Sequence, residues 1–321
     1  MKKKRSVGQI LVEFRTILIL IVLVAVFTYL KPVFLNGNNL LSMLKRMSYV
    51  AITAFGMTFL LTLGVFDMSA GSLAALTGVV LAYGLNKGVS VAIMLPAVIV
   101  MAVLCGFLNG VIIVKGKIPA FLTTLATMNI LRGLAQTITS GRTVSIKVKG
   151  VTDFFGNGMV FGVIPTPVII MLVFFAIALF LFYKTKFGFY CRCIGGNGES
   201  AKVAGIAVDR IQMAAFAMMG FCSGIAGLIL AGLMNAGMPS LGQDLAMDGI
   251  ASAVLGGTAI SGGLGTMWGT IAGTLIMAIL NSGLSLLGAQ SDVQLLVKGF
   301  VIIFAILMDN ALKSRKTVQK S

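Results

Sequence analysis

The chain contains no histidine and only nine aspartate and glutamate residues among 321. Histidine is the commonest general base and a frequent metal ligand, so its absence excludes serine–histidine nucleophilic centres and histidine metal sites. The chain also lacks the Gly-x-x-x-x-Gly-Lys-Ser/Thr loop that cradles nucleotide phosphates. We therefore expect no catalytic residues, no enzyme activity and no cofactor bound by this chain itself.

Cysteine is nearly as scarce. Cys105 and Cys222 fall inside apolar runs, while Cys191 and Cys193 are separated by one residue. A structural zinc site needs four ligands, and no second cysteine pair accompanies these two in the sequence. The expectation is two reduced cytoplasmic thiols and no metal site.

Charge is sparse as well, at 11% of residues, whereas 58% are apolar and the mean hydropathy is +1.03. Apolar runs of about 18 residues or more, enough to cross a bilayer as helices, recur along the chain. The sequence predicts an all-α polytopic membrane protein of about ten spans in a single domain, 1–321. The predicted spans are about 16–35 and 48–65, then a third that residues 67–73 open and that ends at about Leu85, and then about 90–114, 120–139, 166–183, 211–233, 249–262, 266–287 and 293–309.

The start of the chain is basic and then apolar, as in a secretory signal. Because the apolar run from Thr16 continues to about Leu30 without a small-residue cleavage site, we expect an uncleaved first span.

The net charge of +16 indicates how the chain is oriented in a membrane, and it does not indicate nucleic-acid binding. Lysine and arginine form no stripe on a soluble module, and instead cluster between the apolar runs. With ten spans, sixteen of the 25 basic residues lie on the side of the termini and seven on the other. The positive-inside rule therefore places both termini in the cytoplasm.

A weak internal sequence repeat suggests that the chain consists of two inverted halves. Residues 67–73 open the third span much as residues 248–254 open the eighth, and Leu108-Asn109-Gly110 is echoed by Leu280-Asn281-Ser282. Each matched pair of spans would run in opposite directions, as an inverted repeat requires. Such matches also arise by chance in helices rich in alanine, glycine and leucine.

No energy source is visible within the predicted spans. Ion-driven carriers keep ionisable groups deep in the bundle, whereas most carboxylates here are expected at span ends. Arg132 and Lys298 lie inside spans but close enough to the outer end to snorkel, so anchoring is their expected role.

The cytoplasmic segment 184–210 is where an outside energy source could act. Gly195, Gly196 and Gly198 are expected to form a turn, Asn197 can cap the helix that follows, and Gly205 can end it. A helix of two turns is unstable alone in water, so it makes sense if it docks against another protein. A solvated connector is the plainer alternative.

These residues resemble the coupling loop of ATP-binding-cassette (ABC) importer permeases, whose motif is Glu-Ala-Ala, three residues, then Gly. The matching residues are Gly198, Glu199, Ser200, Ala201, Gly205 and Ile206. Three further stretches resemble the ribose/xylose/galactose-type sugar permeases: residues 66–72, residues 253–258 with 261–263, and residues 269–273 with 280–281. Ser200 replaces an alanine of the motif, and its Ile-x-Leu-Pro tail is absent.

The resemblance implies a permease that pairs with a second permease, identical or different. Beneath them would lie two ATP-binding subunits that carry ATP and Mg²⁺, and above them a periplasmic or lipid-anchored binding protein that delivers a monosaccharide. Closure of the ATPases would draw the coupling helices together and rock the two bundles.

Small polar residues that interrupt helices are the best sequence indication of a translocation path. The candidates are Ser69, Gly71 and Ser72 in one half, and Gly256, Gly257, Thr258, Ser261, Gly262 and Gly263 in the other. Close helix packing is the stronger alternative for such residues in membrane proteins.

Other functions stay open at this stage. Within the same superfamily, the solute could be autoinducer-2, a nucleoside or a branched-chain amino acid. A secondary carrier or passive channel is a different class, and it predicts gradient-driven flux through this chain alone.

Overall fold

A computed structural model describes residues 7–301 and residue 303. The helices in that part of the chain are α1 Val7–Leu30, α2 Gly37–Thr62, α3 Ala70–Asn86, α4 Val91–Gly116, α5 Ala120–Thr139, α6 Lys149–Thr152, α7 Thr166–Lys184, α8 Lys186–Gly196, α9 Gly198–Val203, α10 Val208–Met234, α11 Leu245–Leu255, α12 Met267–Leu286 and α13, residues 291–301. The basic segments 1–6 and 313–320 lie outside the described residues. So does the part of the tenth predicted span that follows residue 301, apart from residue 303.

Each predicted span overlaps a helix, although α11 has only 11 residues, so the helical class is confirmed. Among the described residues, α4, α7, α10 and α12 are long and apolar enough to cross a bilayer by length and composition. The total number of crossings and the side on which the termini lie stay predictions.

Several predicted boundaries are wrong. Residues 36–47 are predicted as a connection, but α2 begins at Gly37 because the Asn36 side chain accepts a hydrogen bond from the Asn38 amide at 3.0 Å. α1 ends at Leu30, and a separate 3-10 turn, Pro32–Leu35, follows it. The eighth span is displaced too, since α11 occupies Leu245–Leu255 rather than 249–262.

The connection between α5 and α7 has no helix of spanning length, as predicted. Strand β1, Val144–Ser145, pairs antiparallel with β4, Ala236–Gly237, on the far side of α10. Strands β2, Met159–Val160, and β3, Ile164–Pro165, form a short hairpin.

Helices α2 and α10 form the centre of the bundle. α2 packs against α11 and α12, and α10 packs against α3 and α4. Thus α2 of the first half packs against two helices of the second half, and α10 of the second half packs against the corresponding two helices of the first. This reciprocal packing supports the predicted repeat. Their inverted orientation in the membrane stays a prediction.

Small residues bring the central helices together. At the crossing of α4 and α10, a Cβ atom on Gly106 would lie 2.3 Å from the Phe216 carbonyl oxygen, and one on Gly220 would lie 2.3 Å from that of Ala102. Such close backbone approach is the usual basis of helix association in lipid, where burial of apolar surface gives no driving force. Threonine adds polar contacts, since the Thr58 and Thr270 hydroxyls of α2 and α12 are 2.7 Å apart.

The outward faces of α4 and α7 are apolar and exposed. Examples are Ile93, Val100 and Leu104 on α4, with Leu172 and Phe180 on α7. On a soluble protein such continuous apolar surface would drive association. On this bundle it fits contact with lipid.

Candidate functional site

Helix α9 is capped at both ends as the sequence predicts. The Asn197 side chain accepts a hydrogen bond from the Ser200 amide at 2.9 Å, and Gly205 follows the helix with a φ of +82°. A left-handed conformation is favourable for glycine and costly for other residues, so Gly205 ends the helix sharply. The cap and the glycine hold a helix too short to be stable alone.

The two sides of α9 differ in exposure. Ala201 is 5% exposed and packs inward, whereas Glu199, Ser200 and Lys202 are exposed and Val203 is 90% exposed. The sequence predicts a small, partly apolar face of Ala201, Val203, Ala204 and Ile206. This prediction is wrong, because the buried Ala201 and the exposed Val203 point to opposite sides of the helix. An almost fully exposed valine among charged residues is a feature of a surface available for docking.

The segment before α9 differs from the prediction. Gly195 and Gly196 belong to helix α8 rather than to a turn. α8 is fixed to the bundle by Arg192, which donates to the Phe182 carbonyl oxygen at 2.7 Å and lies 4.9 Å from the ring of the same residue. The buried Phe182 packs edge-on against Phe59 of α2 at 5.3 Å. The segment 184–210 is therefore two anchored helices, α8 and α9.

The end of α8 meets two other backbone segments, and we call this contact the α8 junction (Thr62–Gly64, Gly195–Gly196 and Ser261–Gly263). A Cβ atom on Gly195 would lie 1.8 Å from the Thr62 carbonyl oxygen and 2.6 Å from the Gly263 amide nitrogen. The Gly263 amide itself donates to the Thr62 carbonyl at 2.9 Å. Three segments thus touch through backbone atoms, leaving no side chain to absorb a displacement.

The candidate path residues of the first half lie inside this chain. Ser69 and Ser72 are fully buried, and a Cβ atom on Gly71 would lie 1.9 Å from the Gly242 carbonyl oxygen. Ser69 donates to the Asp67 carboxylate at 2.6 Å and accepts from Asn109 at 3.0 Å. These residues therefore pack and form hydrogen bonds within the chain at the start of α3.

The candidates of the second half divide into two groups. Gly256 and Thr258 are buried, and a Cβ atom on Gly256 would lie 2.3 Å from the Gly269 backbone of α12. Ser261 is exposed, and Gly262 and Gly263 form part of the α8 junction; Gly257 is half-buried. The role of all nine in a translocation path stays a prediction.

Sequence reasoning missed three buried charges. Asp67 and Asp248 are expected at span ends but are only 1% and 7% exposed, because α3 and α11 begin inside the bundle. Lys298 does not snorkel: its side chain is 11% exposed, and its Nζ lies 3.0 Å from Asp248 Oδ1 and 3.4 Å from Asp244 Oδ2. The matched motifs around Asp67 and Asp248 are the sequence signal that could have identified them.

Residues 39–306 match the family model described as branched-chain amino acid transport system / permease component. The chain belongs to this permease family. The ribose import permease protein RbsC of Haemophilus influenzae is 38% identical over 314 residues, 97% of each chain. RbsC of Escherichia coli K12 is 37% identical over 303 residues, 94% of each chain, and the L-arabinose ABC transporter permease AraH of Azospirillum brasilense is 32% identical over 319 residues, 99% of this chain and 94% of the relative. No solved structure matches the chain.

These relatives confirm the resemblance to ABC sugar-importer permeases over almost the full length. Within the permease, α8 and α9 correspond to the segment that the resemblance assigns to ATPase coupling. The coupling role itself is not tested by the likeness.

The two thiols of α8 should differ in reactivity. Cys191 is fully buried, and burial raises the pKa of its thiol to about 12 against the opposing effect of Arg192. Since the thiolate is the reactive form, almost none is present at pH 7–8. We expect N-ethylmaleimide to alkylate the half-exposed Cys193 of the folded permease and to spare Cys191, as read by peptide mass spectrometry. Equal labelling before unfolding would show that α8 is not packed against the bundle.

Proposed function

We propose that the chain is the transmembrane permease subunit of an ABC importer that carries a monosaccharide, a ribose-like pentose or a related sugar, across the bacterial inner membrane. The names of its relatives, ribose and L-arabinose permeases of similar length, support a sugar as solute. A second permease chain, two ATP-binding subunits carrying ATP and Mg²⁺, and an extracytoplasmic binding protein would complete the importer.

The observation that carries the coupling role is α9 with its exposed outer surface. Glu199, Lys202 and Val203 are exposed on a helix whose ends are fixed by Asn197 and Gly205. A rigid exposed helix can transmit the movement of a bound ATP-binding subunit to the bundle. A flexible loop would change shape instead. The inward-facing Ala201 keeps α9 seated on the bundle.

The α8 junction connects α9 mechanically to the rest of the bundle. α9 follows α8 after one residue, and Gly195 near the end of α8 touches the backbone at the end of α2 and in the loop between α11 and α12. A displacement of α9 would therefore move α2 and α12, which pack against each other. In this mechanism ATP-driven closure moves helices as rigid bodies and breaks no bond in this chain.

Loss of the gene tests the substrate class. In cells lacking this permease, uptake of D-ribose or L-arabinose should fall while uptake of L-leucine is unchanged. The description of the family model makes a branched-chain amino acid the second candidate. Loss of L-leucine uptake with normal sugar uptake would favour that candidate and overturn the sugar assignment.

A further inference from the structure

A polar cavity of about 310 Å³ lies inside the chain, between α2, α11, α12 and α13. Tyr49 and Val50, at the midpoint of α2, and Met277, at the midpoint of α12, form part of its wall. Its volume falls at the lower end of the range for small-molecule sites, about 300–1,000 Å³. The cavity is therefore large enough to hold a small solute.

The wall carries hydrogen-bonding groups of every kind. Asp244 and Asp248 offer acceptors, Lys298 and Arg46 offer donors, and Asn281 offers both. The Asn281 Oδ1 atom is buried and has no hydrogen-bond partner among the residues that the structure describes. A buried amide oxygen without a partner is unfavourable unless a ligand or water completes it.

The first half uses the corresponding residue differently. Asn109, the counterpart of Asn281 in the repeat, donates to Ser69 at 3.0 Å and accepts from Thr127 at 2.7 Å. There the asparagine binds only other side chains of the bundle. In the second half the asparagine faces the cavity instead.

The charges of the wall favour a neutral ligand. Two acidic and two basic side chains line the cavity, and Lys298 is already paired with both carboxylates. An amino acid would need an ammonium partner and a carboxylate partner that are free of each other. A hydroxyl group both donates and accepts hydrogen bonds, so it can bind to the paired carboxylates and ammonium group and to the Asn281 amide.

Polar residues at the helix ends predicted to be extracytoplasmic line the cavity, and we take them as its mouth. Gln243 lies just before α11 and Gln294 lies in the first turn of α13, and both line the cavity. A solute released by a binding protein would meet this opening first.

We propose that this cavity within each permease subunit binds the transported monosaccharide through its hydroxyl groups. The proposal rests on the proposed function as a sugar permease. It places a binding site inside one chain, in addition to the pore that the resemblance implies at the interface of the two permease subunits.

Cysteine protection tests the cavity in the complete permease–ATPase complex. Gln294→Cys places a thiol on the cavity wall, and Gln290→Cys places one at an exposed position just before α13 that does not line the cavity. Cys105 and Cys193 are replaced by serine, and alkylation by N-ethylmaleimide is followed with D-ribose, L-arabinose or L-leucine present. We expect a sugar at about ten times its Kd to slow alkylation at position 294 about tenfold and to leave position 290 unchanged.

Gln243→Cys provides a second position at the mouth if Gln294→Cys perturbs the fold. Absence of sugar protection at both cavity positions, protection at position 290 as well, or protection by L-leucine alone would each overturn the proposal. The same variants are assayed for ATP-driven sugar uptake, which separates the two claims. Uptake without protection would refute the cavity alone, whereas sugar uptake that does not depend on this permease would refute the function.

Discussion

Replacing Glu199 with lysine is expected to lower ATP-driven uptake more than about tenfold while the permease still inserts and folds. Glu199 is exposed in the first turn of α9, so the substitution perturbs no packing. The loss of favourable interaction with the helix dipole costs at most about 1 kcal/mol. Charge reversal within a docked surface costs several kcal/mol, which is enough to release the ATPase.

Asp209→Lys is the matched control. Asp209 is also an exposed carboxylate in the first turn of a helix, α10, and its contact with Lys115 at 3.5 Å is a surface ion pair worth about 0–1 kcal/mol. We expect uptake by this variant to stay within about twofold of the parent, consistent with so weak a pair. Normal uptake by the Glu199 variant, or equal loss in both, would contradict a specific role for α9.

Gly195→Ala is expected to disrupt the α8 junction. The added methyl group would lie 1.8 Å from the Thr62 carbonyl oxygen, so backbone segments must separate. Overpacking of this kind costs about 1–3 kcal/mol, and the displaced α8 would transmit less of any movement of α9. Thermal unfolding of the purified permease and uptake in the same preparation should both decline.

Gly196→Ala is the control one residue away. A Cβ atom there has nothing within 4 Å, and at the last residue of α8 alanine gains less than the roughly 0.5–1 kcal/mol that it gains in a helix interior. We expect parental stability and uptake. If the two alanine variants behave alike, the junction is not a rigid contact.

The sequence predicted local features of the site better than their three-dimensional setting. Asn197 and Gly205 were identified as the caps of α9 because capping depends on neighbouring residues. The contact of Gly195 with Thr62 and Gly263 joins segments far apart in sequence, so no local pattern could predict it. The contiguous glycines suggested a turn, whereas tertiary packing places two of them in α8.

The fold shows the same division. Apolar runs located the long helices, because a bilayer imposes length and composition on each span. The sequence predicts Asp67 and Asp248 at span ends, since a break in an apolar run usually marks one. Here α3 and α11 begin inside the bundle, and the pairing of Lys298 with Asp244 and Asp248 depends on how α13 packs against α11.

Reconstitution tests most directly whether this bundle is driven by an external ATPase. Purified permease is placed in liposomes alone, with its ATP-binding subunits and binding protein, or with those partners and the Glu199→Lys substitution. We predict accumulation of sugar against its gradient only in the second preparation and only with ATP. Accumulation by the permease alone, under an ion gradient or otherwise, would contradict the account.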